Sequence, residues 1–470
     1  MKRTTNKWLE LVIVLSAPLL SVIDVFIINV AIPAIKKGVR ATDGEVQLVI
    51  AGYLLGYAAF LITGGRAGDQ FGRKKVFFRG MLAFTVASCL CGLSMTPLQL
   101  NLTRFFQGVS ASFMVPQTIA FIQLIFTDPK EKAKAIGMFG ITLGIASVTG
   151  QVLGGYFSGT HWVIDGWRLI FFINLPIGVV TLWATRRYVN ETAVNQGSKF
   201  DYPGIAILTA ALFCLIYPLI EGRENGWPWW SIGLLVASLV LFAFFVRNQK
   251  RKLAANGNPL IDVRLFRIRD FNTGLLAVLF HFMLHTSYLL LSAVYLQNGL
   301  GISALSCGLY FIAPGILFTA ASIVASKLIV PFGKRVLQAG VLVMAIAFIL
   351  QLLFLKPGVS TGLIIAMMGA WGLGNGFVLP SLLGIALKSV PGHYAGAAAG
   401  VYSTFQQTAS ALGVSVIGGI FFYFSRQGWQ VGYGAGIIAI LVCLTMVGFL
   451  LFLLPAEGVR PKRMVPDAMA

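Results

Sequence analysis

Gly65-Arg66-Ala67-Gly68-Asp69-Gln70-Phe71-Gly72-Arg73-Lys74-Lys75 is the stretch on which the reading of this chain turns. It connects two apolar runs, near 46–65 and 76–95, each about 20 residues long and so able to cross a hydrocarbon core of about 30 Å. Gly65, Gly68 and Gly72 permit close packing or positive φ. Asp69 can accept hydrogen bonds from a helix N-terminus or pair with a basic side chain. Arg73, Lys74 and Lys75 anchor the cytoplasmic face. A worn copy follows much later as Ser326-Lys327-Leu328-Ile329-Val330-Pro331-Phe332-Gly333-Lys334-Arg335. Phe-Gly and the basic pair survive, and Val330 stands where Asp69 does. A second echo links Gln107-Gly108 with Asn375-Gly376, Gly372 taking the place of Arg104. The two offsets are similar, which predicts a parallel repeat of six spans each.

The rest of the composition agrees with a membrane chain. Of 470 residues, 57% are hydrophobic and 11% charged, against about 25% charged in a soluble domain. Spans are expected near 8–33, 46–65, 76–95, 98–125, 136–158, 168–186, 203–221, 229–247, 272–296, 303–326, 336–355, 361–387, 397–424 and 434–454. The expected fold is an all-α polytopic membrane protein of fourteen transmembrane helices. It divides into a six-helix bundle (1–190), an inserted helix pair (200–250), a cytoplasmic linker (251–271), a second six-helix bundle (272–456) and a cytoplasmic tail (457–470). The first run exceeds the apolar core of a signal peptide, about 7–15 residues, and lacks a small-x-small cleavage site. It reads as a retained helix.

A net charge of +20 raises the question of nucleic acid, and its distribution answers against it. With both termini in the cytoplasm, the inside loops take Lys2, Arg3, Lys7, Arg66, Arg73–Lys75, Lys130–Lys134, Arg186, Arg187, Lys199 and the basic run from Arg247 to Arg269. The outside loops keep few. This is the positive-inside pattern, with some attraction to anionic lipid heads. The five cysteines all lie in apolar runs without metal-site spacing, and read as small packing residues.

Asp24 sits deep in the first run, where a carboxylate costs about 2.5–3.5 kcal/mol on an insertion scale. It is expected to face a bundle interior or wet cavity and to take up and release protons. Arg104, in the fourth run, lies about 10 Å from the outer end, and Asp24 about 23 Å from the inner end, at similar depths. Two readings stand for Arg104: an ion pair with Asp24, or snorkelling to the outer interface. Gln107, one turn deeper on the same face, can join the network. The fifth run, Gly140 to Gly155, is dense in small residues that let helices approach. Trp167 and Arg168 suit an interfacial anchor, and Asn174 with Pro176 predicts a kink with a polar group inside. His281 and His285 share a helix face near mid-membrane. They read either as a substrate or proton site or as a hydrogen-bonded packing pair. No acid or Cys completes a metal site with them. No nucleotide-binding loop occurs, and nothing marks an enzyme.

These residues resemble the major facilitator superfamily, and within it the fourteen-span drug:proton antiporters, over nearly the whole chain. Gly65 to Lys75 is similar to the superfamily's loop motif, in which Gly65, Asp69, Gly72 and Arg73 have a gating role. Arg104, Gln107 and Gly108 resemble its helix-four motif, whose arginine handles protons. Ile23-Asp24 with Asn29, Ala31 and Pro33, and the run Trp167 to Gly178, resemble hallmarks of the fourteen-span branch. One departure stands out: Gly150-Gln151-Val152-Leu153-Gly154-Gly155 lacks the proline of the antiporter motif, which is associated with sealing the bundle interface.

The resemblance implies two bundles around a central cavity, alternating access, and proton-driven export of amphipathic compounds across a bacterial inner membrane. No cofactor is implied beyond the proton gradient. Asp24 and Arg104 are then the proton-coupling residues. Gln107, Gln151, Asn174, His281, His285, Gln406 and Gln407 are the candidate cavity residues. The partners are an amphipathic small molecule, protons and the bilayer, with the chain a monomer. A specific metabolite transporter or symporter, reading a polar substrate through His281, His285, Gln406 and Gln407, is the alternative. A non-transporting receptor is disfavoured by the lack of a sizeable soluble domain.

Overall fold

The computed structural model describes residues 6–160, 164–191, 200–255, 257–391 and 394–454. The expected tail at 457–470, Lys2, Arg3 and Lys199 lie outside the described residues. Among the described residues, fourteen helices are long and apolar enough to cross a membrane. In chain order they are α1 Lys7–Gly38, α2 Asp43–Phe71, α3 Arg73–Leu93, α4 Pro97–Ile125, α5 Lys130–Ser158, α6 Gly166–Tyr188 and α7 Tyr202–Gly222. They continue as α8 Trp229–Ala254, α9 Arg269–Gly299, α10 Ala304–Ile329, α11 Lys334–Phe354, α12 Thr361–Leu387, α13 Ala397–Ser425 and α14 Trp429–Leu453.

Local chemistry sets the ends. Thr42 and Glu45 form a reciprocal capping box at the start of α2, satisfying two otherwise orphaned backbone donors. Thr96, Asp128, Asp201 and Ser360 cap α4, α5, α7 and α12 with side-chain oxygens, each worth about 1 kcal/mol. The repeat is visible in the turns. α2 stops at Phe71 and α3 starts at Arg73, with Gly72 at φ +94° between them. The helical run of α10 continues beyond the span's end at Ile329 to Phe332, and α11 starts at Lys334, with Gly333 at φ +53°. Only glycine adopts such φ cheaply, so each Phe-Gly-basic step is a helix reversal. Gly65 has neither role expected of it: it is helical, and a Cβ there would meet nothing within 4 Å.

The packing repeats as well. α4 lies on α2 and α3 as α12 lies on α10 and α11; α1 pairs with α5 and α6 as α9 pairs with α13 and α14. Close approach at α4–α2 depends on Gly108, whose Cβ would strike the Tyr53 carbonyl; at α12–α10, Gly376 faces the Phe318 carbonyl in the same way. The halves meet along α2–α13, α5–α10 and α1–α9, contacts that also exchange under the repeat. The α5–α10 seam is tight on the side away from the basic loops, where Gly155 abuts the Ala304 carbonyl and Gly308 the Gln151 carbonyl. Toward the basic face it parts: Gly137 and Gly140 meet nothing within 4 Å.

The inserted pair α7–α8 packs on itself and on α2. The stretch expected as a linker is built into the fold rather than left as a tether. Leu260, Ile261 and Leu265 are buried, and Val263–Arg267 forms a 3₁₀ turn capped by Asp262. The hub is Asp201, only 2% exposed. It pairs with Lys252 and accepts from Gln249 Nε2 at 2.8 Å, Gly204 N at 2.7 Å and Leu260 N at 3.0 Å. Burial pushes its carboxyl upward, but these donors outweigh it and hold it below the usual carboxylate value. Arg66 of the loop motif donates to the Pro259 carbonyl at 2.7 Å, tying α2 to the same knot.

Candidate functional site

Asp24 is completely buried and Arg104 is 1% exposed. An isolated charge in such a place is prohibitively costly, and the structure pairs the two directly, Arg104 Nη1 to Asp24 Oδ2. The snorkelling alternative does not occur. Every neighbour then serves the pair. Arg104 Nε donates to the Val49 carbonyl at 2.9 Å, and Nη1 also reaches Gln107 Oε1 at 2.7 Å. Gln107 Nε2 donates to Asp24 Oδ1 at 2.7 Å. Asn174 Nδ2 reaches the same oxygen at 3.3 Å and Ser88 Oγ at 2.9 Å. The guanidinium lies 4.5 Å from the centroid of the Tyr53 ring, a cation–π contact that strengthens when desolvated. Tyr53 is held by Ser21 at 2.7 Å.

Five helices of the first half (α1, α2, α3, α4 and α6) thus contribute to one network around the Asp24–Arg104 pair. Asn174 reaches it because α6 breaks at Ile173, between Gly166–Phe172 and Asn174–Tyr188. Gln107 and Asn174, expected among cavity residues, sit inside this network, both fully buried. Tyr53 and Ser88 were not anticipated. A neutral Tyr or Ser in an apolar run carries no period or charge that marks it, so no signal for them was available.

The helix against Asp24's own backbone is α5. A Cβ on Gly150 would lie 2.8 Å from the Ile23 carbonyl, and one on Gly154 would strike the Ile27 carbonyl. Gly155, the next residue, faces α10 of the other half. Gln151 is buried on the same helix, with Oε1 unpartnered. The small residues of α5 therefore place it between the ion pair and the seam.

In the second half, His281 Nε2 and Asn375 Oδ1 are 3.0 Å apart, and Asn375 Nδ2 and His285 Nδ1 3.3 Å. The amide thus bridges two imidazoles. If its oxygen accepts from His281, its nitrogen donates to His285, so the two rings present opposite faces of the neutral form. The His285 ring stacks on Trp371 at 5.6 Å. His281 is fully buried; His285 is half-buried. Gln406 and Gln407 on α13 are half-buried and join neither cluster. Gly372, standing where Arg104 does, is filled by the backbone of Pro314.

The loop-motif residues form one local unit. Asp69 pairs with Arg73 across the reversal, Gly68 packs on the Gln117 side chain, and Lys74 N donates to Glu191 at 3.0 Å. Trp167 is not an interfacial anchor: it is 2% exposed, packed against Gly38. Arg168 beside it donates to the carbonyls of Gly92 and Ser94, both at 2.7 Å. An apolar groove of about 620 Å³ lies between α2, α4 and α7, lined by Phe60, Phe105, Phe113 and Phe213.

A helical duplicated bundle with a buried acid–arginine pair is the arrangement of a membrane transporter, not of an enzyme. The chain belongs to the Major Facilitator Superfamily, whose model matches residues 14–414. It is 34% identical to the "Probable actinorhodin transporter" of Streptomyces coelicolor over 89% of this chain and 73% of that one. It is 31% identical to the "Multidrug resistance protein Stp" of Mycobacterium tuberculosis, over 85% and 73%. The fold matches a crystal structure of a bacterial homologue of the human lysosomal transporter Spinster, in an inward-facing and occupied conformation. That match has a TM-score of 0.69 and 16% identity, over 94% of this chain and 95% of the other.

Proposed function

We propose that this protein is a secondary active exporter of amphipathic small molecules, working by alternating access and driven by protons entering against them. The observation that carries the reading is the Asp24 network. A lone carboxylate, sealed with its arginine inside one bundle, lies against the helix that forms the seam with the other. Protonating Asp24 would remove its attraction for Arg104 and free the amides of Gln107 and Asn174. Those changes can reach α5 through Ile23 and Ile27, whose carbonyls touch Gly150 and Gly154. Asp24 is then the proton site, and Arg104 the residue that holds it in position.

Relatives named for resistance and export of drugs and antibiotics support the substrate class. The basic face is read as cytoplasmic, with both ends of the chain there, in a bacterial inner membrane. The chain is read as a monomer that needs no cofactor beyond the proton gradient. The test is transport by inside-out vesicles of a panel of lipophilic dyes, with and without an imposed pH gradient. Accumulation that collapses with the gradient is expected, and accumulation indifferent to it would remove proton coupling.

A further inference from the structure

The inserted pair α7–α8 does more than fill space beside the first half. At the basic face it is tied to α2 through the Asp201 knot and Arg66. At the opposite face α7 ends in a π turn, Pro218–Gly222, a local widening often found at functional positions. There the pair again sits on α2, since a Cβ on Gly44 would meet Glu224 Cγ at 2.8 Å and Glu221 Oε1 at 3.2 Å. The pair packs mainly on α2 of the first half, while its π turn also lies against α13 of the second half, to which it extends one charged side chain. Arg223 Nη1 donates to the Gly419 carbonyl on α13 at 2.6 Å, while Nη2 is held by Glu224 Oε1 at 3.0 Å. Glu224 in turn lies 4.0 Å from Arg426 Nη2, just beyond α13.

The receiving surface is shaped for this. A Cβ on Gly419 would sit 3.2 Å from Arg223 Nε, and one on Gly418 3.4 Å from Gln47 Oε1 of α2. Gln47 is fully buried at this junction. Two adjacent glycines thus admit a side chain from the inserted pair and one from α2. A side chain at 419 would crowd Arg223, whereas a methyl at 418 would meet Gln47 at ordinary contact distance. Arg223 is itself only 13% exposed, so its bond to the carbonyl is shielded from competing water.

We propose that the inserted helix pair is a strap fixed to the first half, and that Arg223 latches the face opposite the basic loops by gripping the Gly419 carbonyl. Opening toward that face requires the latch to release. The inference rests on alternating access and is independent of which compound or ion is carried.

The test uses the full chain with its five native cysteines replaced and Gln47→Cys as reporter, in right-side-out vesicles with a membrane-impermeant maleimide. With Arg223 intact, labelling should be slow. In Arg223→Ala, loss of one charge-assisted hydrogen bond should raise the labelling rate about tenfold, and Arg223→Lys should fall between. An unchanged rate in Arg223→Ala that elutes as folded protein would overturn the latch. If Arg223→Ala does not fold, Arg223→Cys with Gly419→Cys decides. Joining them with a short, reducible bifunctional thiol reagent should block labelling of a reporter cysteine at Val30, beside the α1–α9 seam, until reduction. Unaffected labelling in the joined protein would likewise overturn the proposal. Because the readout is accessibility, a failed transport assay and a failed latch are distinguishable.

Discussion

Gln107 and Asn375 occupy corresponding places on α4 and α12, each one residue before the glycine that lets its helix close on a neighbour, and each amide bridges two groups. Gln107 joins Arg104 to Asp24; Asn375 joins His281 to His285. One scaffold position has therefore been used to bridge an acid and an arginine in one half and two imidazoles in the other. The predictions start from that asymmetry.

Asp24→Asn should abolish gradient-driven transport while the protein still inserts and folds. Arg104→Ala should be the more destabilising change, by about 3–5 kcal/mol, because it strands a buried carboxylate. The double variant should recover part of that loss, a coupling that a double-mutant cycle in thermal unfolding measures. Additive effects would dissolve the pair as an energetic unit, and wild-type driven transport by Asp24→Asn would remove the residue from the mechanism.

The two histidines should separate. His281 is wholly enclosed and committed to Asn375, so His281→Ala should lower stability by about 1–3 kcal/mol through an unpaired amide and leave the range of compounds unchanged. His285 is half-buried against Trp371, and His285→Ala should alter that range. Assays on several compounds, normalised to folded protein, distinguish the outcomes. Identical profiles for both variants and wild type would assign both rings to packing.

Gly154→Val and Gly155→Val test the two sides of α5. Each should cost about 1–3 kcal/mol from overpacking. Gly154→Val pushes against Ile27 and should disturb the Asp24 network. Gly155→Val pushes against Ala304 and should instead loosen the seam, raising accessibility at Gln47. Equal effects on that reporter would contradict the division of labour.

Asp201 carries a pH dependence outside the membrane. Its folded carboxyl lies below the ordinary value of about 3.9. The stabilisation it supplies is therefore complete above that pH, and is lost as pH falls toward the lower folded value. Unfolding temperature in detergent should drop across that acid window, and Asp201→Asn should be less stable at neutral pH with a flatter acid limb. Parallel acid limbs for the two proteins would place the dependence elsewhere.

The fold could be read from sequence because membranes permit so few alternatives. Long apolar runs, basic loops on alternate connections and a repeated Phe-Gly-basic step leave little freedom, and fourteen helices with repeated packing are what the structure contains. Asp24 and Arg104 stood out because each is costly alone at membrane depth. Neutral groups escape that logic: Tyr53 and Ser88 look like packing until their distances are known, and Asn174 was read as a cavity residue. Gly65 and Gly72 belong to one motif, but only Gly72, whose Phe-Gly step recurs at Gly333, takes a positive φ. The inserted pair was legible as two spans, but its attachments run through backbone carbonyls at Pro259 and Gly419, which no residue type advertises.

The complete enclosure of Asp24 has a consequence for leakage. On the proposed mechanism, a carboxylate reachable from both sides of the membrane would let protons slip down their gradient without moving a passenger. Here the oxygens are occupied by Arg104, Gln107 and Asn174 with no exposed surface, so the network has to open before either oxygen can meet water. On the proposed mechanism protons then cross only as fast as the bundle opens, and idle current should be small whenever no passenger drives the cycle.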